Sequence, residues 1–154
     1  MKFESFSEKD KIGILLNFLN ERYHAAHEMR ERSLKFSMWI LGYVAVAIPW
    51  LLFQRGLCSG QKTTLTVLTT VLGIAAFLFI RAIHIGFNRN WNLIIKLEEA
   101  LGCYEKNLYI GSTQLFPEEY RKIKRLSLRS HFSLIYVWII LAMILTIVFI
   151  WVSL

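Results

Sequence analysis

Three stretches of the chain are free of charge over roughly the length of a membrane crossing, and two of them adjoin apolar stripes at helical spacing. Leu65 to Ile80 holds no charged residue, and Arg81, His84 and Arg89 mark the return to water. Beyond that return Ile83, Phe87, Trp91, Ile94, Leu97 and Leu101 recur at steps of three or four, which lays one apolar stripe along a helix. The pattern predicts a single helix from Thr64 to Leu101 that crosses a membrane and continues outside it. Phe36 to Phe53 is a second uncharged run, with Trp39 and Trp50 suited to its two interfaces. At 1.5 Å per residue it reaches about 27 Å, enough for a hydrocarbon core of about 30 Å. Phe132 to Leu154 is the third, with 23 residues and no charge.

Ahead of the first run, Ser5 with Glu8 or Ser7 with Asp10 offers a capping box, so a helix is expected to start near residue 8. Its apolar face carries Ile12, Leu15, Leu16, Leu19, Tyr23 and Ala26. Such a face packs against the other extensions or lies on the lipid surface. Pro49 predicts a kink near the end of the first span. After Leu101, Gly102 and Gly111 interrupt the pattern, a short helix is expected at Tyr104 to Tyr109, and Phe116-Pro117-Glu118-Glu119 starts another. The expected order is an amphipathic helix over 1–33, a first span over 34–54, an outer loop over 55–63, a second span over 64–85, a helical extension and loop over 86–131, and a third span over 132–154. The fold class is therefore an all-α integral membrane protein with three transmembrane helices and long cytoplasmic helical extensions.

Composition supports the membrane class: 55% of the 154 residues are hydrophobic and 19% are charged. Eighteen basic residues against eleven acids would suggest nucleic acid in a soluble chain. Here their placement explains them. Seven precede the first span, two lie in the outer loop and nine fall between Arg81 and Arg129. By the positive-inside rule this puts the N-terminus and the long middle segment in the cytoplasm and the C-terminus outside. The first apolar run lies too far from the N-terminus for a secretory signal, so the first span reads as an uncleaved anchor. Cys58 and Cys103 then fall on opposite sides of the membrane and should not pair within a chain.

Several patterns bear on chemistry. Thr66, Thr70 and Gly73 climb one face of the second span, either as a tight packing seam or as a hydrophilic pore lining. Phe87, Trp91, Ile94, Leu97 and Leu101 are the expected oligomerisation stripe. Lys122, Lys124, Arg125 and Arg129 form a basic cluster before the third span, suited to anionic lipid headgroups or another polyanion. Glu21 with His24 has the spacing of a di-iron ligand pair, but no second copy accompanies it, so no metal or cofactor is expected. Arg22 with His27, and Arg125 with His131, resemble the arginine–histidine signature of HEPN-type ribonucleases. They are the catalytic candidates in a chain otherwise expected not to be an enzyme.

The run Trp91-Asn-Leu93-Ile94-Ile-Lys-Leu97-Glu98-Glu-Ala-Leu101, placed after two spans and an amphipathic helix, resembles the post-membrane segment of the RipA-like octameric bacterial inner-membrane proteins. The SLATT-type two-span effectors of bacterial conflict operons have a similar plan. The resemblance covers about Glu21 to Glu105 and implies homo-oligomerisation in a bacterial inner membrane, with an effector role in stress or anti-phage defence. The expected function is a channel-like or membrane-perturbing homo-oligomer. Its alternatives are a non-conducting scaffold that recruits a cytoplasmic protein partner and a membrane-tethered HEPN-like ribonuclease. The expected partners are the bilayer, with its anionic headgroups, and further copies of the chain; nucleic acid is disfavoured.

Overall fold

The computed structural model describes residues 7–54, 56–109, 113–121 and 131–152. Among these are three long helices: α1 over Glu8–Phe53, α2 over Ser59–Ala100 and α3 over His131–Val152. All three are long and apolar enough to cross a membrane, the architecture of a multi-pass membrane protein. At 1.5 Å per residue α1 reaches about 69 Å and α2 about 63 Å, roughly twice a hydrocarbon core, whereas α3 at about 33 Å matches one. α1 and α2 thus have residues to spare beyond a span.

The start of α1 is fixed by Ser7. The Asp10 amide donates to Ser7 Oγ at 3.2 Å, and the serine hydroxyl donates in turn to Asp10 Oδ2 at 2.7 Å, which satisfies one of the first-turn amides. Pro49 sits inside the helix without ending it, and the last turn closes with Gln54 N donating to Trp50 O. α2 then begins at Ser59, earlier than the threonine run suggests, so that five residues separate the two helices. Two features explain the early start. The Gln61 side chain accepts from the Cys58 amide, and Thr63 and Thr64 return their hydroxyls to the carbonyls of Ser59 and Gly60, stitching the polar first turns together.

The far end of α2 closes in a Schellman motif. Gly102 adopts φ 72°, its amide donates to Glu99 O, and the Cys103 amide donates to Glu98 O. The short helix expected over Tyr104 to Tyr109 is instead a series of turns. Both Gly102 and Asn107 have positive φ, and two left-handed residues five apart interrupt any right-handed helix. The helix start expected at Phe116-Pro117 is seen as a 3₁₀ turn over Glu118–Arg121, and residues 122–130 that follow lie outside the described residues.

The chain divides into two units, the first comprising Met1–Arg30 with Ile85–Arg125 and the second Glu31–His84 with Leu126–Leu154. In the first, α1 and α2 run antiparallel, with Arg22 beside Asn90 and Met29 beside Gly86. In the second, α2 and α3 run antiparallel: Thr66 meets Trp151, Gly73 meets Met143, Phe77 meets Tyr136 and His84 meets Phe132. α1 joins them through Phe36 on Phe79 and through Ser33 on His131.

Candidate functional site

In the first unit the line buried along α2 is Asn90, Ile94 and Glu98, at steps of four. Phe87, Trp91, Leu97 and Leu101 flank it and are half-buried. Ile94 is fully enclosed within its own chain, while Trp91, stacked on Phe87, keeps part of its surface open. Two polar side chains therefore occupy positions that the apolar stripe would assign to hydrophobes.

Each has a partner. Asn90 Nδ2 donates to the Arg22 carbonyl at 2.7 Å, whereas its Oδ1 is buried with no hydrogen-bond partner among the described residues. Glu98 accepts from two phenols: Tyr23 of α1 donates to Oε1, and Tyr104, folded back by the Gly102 turn, donates to Oε2. Gly102 is favoured there by its φ, and an added Cβ would also lie 2.5 Å from the end of the exposed Leu108 side chain, which would have to turn aside. Burial raises the hydroxyls of Tyr23 and Tyr104 above the ordinary phenol value, and the bonded Glu98 carboxylate pushes the same way. Cys103 is raised by burial first and by Glu98 second. One carboxylate thus ties together α1, α2 and the loop after α2, with both hydroxyls held protonated.

In the second unit, Thr66 donates to Lys62 O and Thr70 to Thr66 O, each at 2.8 Å. Trp151 Nε1 then donates to Thr66 Oγ1 at 3.2 Å. Gly73 is buried against Met143, whose sulfur would lie 1.9 Å from an added Cβ. Thr69, Ser133 and Thr146 are buried in the same unit, and Thr146 returns its hydroxyl to Ala142 O. The hydroxyl protons of Thr66, Thr70 and Thr146 are thereby committed to backbone carbonyls, as suits threonines in lipid.

At the end of the seam where α3 begins, His131 Nε2 lies 3.0 Å from the buried Ser33 hydroxyl, and His84 stacks on Phe132 with ring centres 4.5 Å apart. The ribonuclease-like pair on α1 does not converge. Five residues apart on a continuous helix, Arg22 and His27 point about 140° away from each other, with Arg22 over the Phe18 ring and His27 exposed. His24 lies 3.6 Å from Glu28, one turn on. Lys122, Lys124, Arg125 and Arg129 lie outside the described residues.

The Glu98 centre escaped the sequence reading because Tyr23 counts as part of an apolar face and Glu98 as one acid in a charged pair. The available signal was phase, since an acid four residues after Ile94 falls on the buried line. The sequence matches no known protein family and no characterised protein, and the fold matches no solved structure.

Proposed function

We propose that the protein is a self-assembling membrane protein, channel-like or membrane-perturbing, whose working form is a ring or bundle of several copies. The observation that carries this is the bareness of the spans: 6%, 11% and 22% of the apolar windows of α1, α2 and α3 is buried inside one chain. Side chains as large as Trp39 and Phe53 are among the most exposed in the molecule. Gly42 has open space around it, so a neighbouring helix could approach its backbone closely. With the hydroxyls of Thr66 and Thr70 donating to their own helix, any aqueous path would be built between copies, not within one.

The orientation that goes with this proposal is N-terminus in the cytoplasm and C-terminus outside, in a bacterial inner membrane, from the placement of basic residues and the resemblance to RipA-like proteins. The effector role in stress or anti-phage defence rests on the resemblance to SLATT-type proteins. Ion release from liposomes holding the purified protein tests the proposal: release that rises with protein density supports it, and tight liposomes with fully inserted protein would sink it. Trp91→Glu separates assembly from insertion, because a charge placed among the half-buried aromatics of the first unit is costly to bury. The variant should reach the membrane at wild-type abundance and run as smaller species.

A scaffold that recruits a cytoplasmic protein is the second reading, favoured by apolar side chains left exposed on α1 well before its span. Ile12 and Leu16 lie one turn apart, as do Ile14 and Phe18, and all four are exposed. An intact, non-conducting assembly that retains a partner through these residues would favour that reading.

A further inference from the structure

Arg81 is the first charged residue after the uncharged run Leu65 to Ile80, which sets it at the level where hydrocarbon gives way to headgroups. It stands on the face of α2 turned toward α3. One turn before it, the Phe77 ring lies 4.9 Å from that of Tyr136; three residues after it, His84 stacks on Phe132. The His84 Nδ1 is 3.4 Å from the Tyr136 hydroxyl, and the Arg81 charge acts on that same hydroxyl. Guanidinium, imidazole and phenol thus gather at the mouth of one helix seam, beside the start of the described part of α3.

Among the described residues, no anion meets this cluster. Glu31 is the one acidic residue in the sequence of the second unit, and Lys35 Nζ already lies 3.0 Å from it. Arg81 makes no ion pair with any described residue. A permanent cation at the edge of a low-dielectric slab is stabilised by a countercharge, and none of the described residues supplies one to Arg81. The membrane does, because every phospholipid carries a phosphate at this depth.

We infer that Arg81, together with His84 and Tyr136, binds the phosphate of a membrane phospholipid at the end of the α2–α3 seam where α3 begins. The guanidinium fork matches two phosphate oxygens at once, and the phenol and imidazole supply further donors. Ile74, Leu78 and Val137, exposed on the same two helices, give the acyl chains an apolar surface. A free phosphate ion would present the same oxygens but leave that surface uncovered, which favours the lipid. The inference needs only that α2 and α3 span a bilayer, and it stands apart from whether the chain assembles.

The test counts lipids retained by the full-length protein under native mass spectrometry after loading with phosphatidylglycerol or with diacylglycerol, which has the chains without the phosphate. Wild type is expected to retain the first and release the second. Arg81→Gln should lower retention about ten-fold, the weight of one charge-assisted bidentate contact, and Arg81→Lys should lower it less. Lys62→Gln, which removes a basic charge elsewhere, should leave it unchanged. Tyr136→Phe keeps the ring against Phe77 and removes only the hydroxyl, so it guards against a folding defect and should lower retention about three-fold. Excess inorganic phosphate should leave the lipid in place. Equal retention of the two lipids, equal retention by Arg81→Gln and wild type, or displacement by inorganic phosphate would each overturn the assignment.

Discussion

Replacing the Glu98 carboxylate by an amide keeps its shape but turns one of two acceptors into a donor, so that one phenol must turn to accept from the amide nitrogen and both lose a charged acceptor. Glu98→Gln should therefore destabilise the first unit by about 1 kcal/mol, the difference between charge-assisted and neutral hydrogen bonds. Faster amide exchange over the last turns of α2, with exchange in the spans unchanged, would check it. The tyrosines supply a pH dependence of definite sign. Their raised values mean that the folded chain keeps protons the unfolded chain has lost, so their contribution is complete below the unfolded phenol value of about 10 and falls as pH climbs above it. Thermal unfolding followed by circular dichroism should show the helical signal melting earlier above pH about 10. The double variant Tyr23→Phe, Tyr104→Phe should lose that slope; a slope of wild-type steepness in the double variant would place its origin elsewhere. Beyond the phase of Glu98 on the buried line, this centre was not legible in the sequence, because a hydrogen bond between residues 75 positions apart has no signature in spacing.

At the scale of elements the sequence served better, for a reason that can be stated residue by residue. An uncharged run is a property of consecutive positions, so Phe36 to Phe53, Leu65 to Ile80 and the stretch from Phe132 all lie within helices. The Ser7 cap was legible because capping is local to four residues. Turns were harder. That Asn107 takes a left-handed conformation depends on the loop folding back over α2, which no dipeptide rule encodes. Two substitutions test how the elements are held. Gly102→Ala meets both a left-handed φ and the Leu108 side chain, and should cost about 1–2 kcal/mol while loosening Tyr104 from Glu98. Gly73→Val forces Met143 out of its place against α2, and overpacking of this kind costs about 1–3 kcal/mol. Denaturation in mild detergent would reveal both, and a Gly73→Val protein of wild-type stability would show that the α2–α3 seam has slack.

At the scale of the whole molecule, the question is what covers three apolar helices that bury so little of one another. Lipid can cover all of it, and in the proposed assembly further copies of the chain would cover the open face around Gly42 and the half-open aromatics Phe87 and Trp91. The sequence carried the membrane class plainly, through composition and the three uncharged runs. It did not carry copy number, because the same exposed apolar side chain serves a lipid or a neighbour. The measurement that bears on this most directly is the mass of the purified protein in lipid nanodiscs, with lipid subtracted. Self-assembly predicts one discrete multiple of the 18.1 kDa chain, unchanged on dilution, with Trp91→Glu at smaller multiples. A mass of 18.1 kDa at every concentration would contradict it.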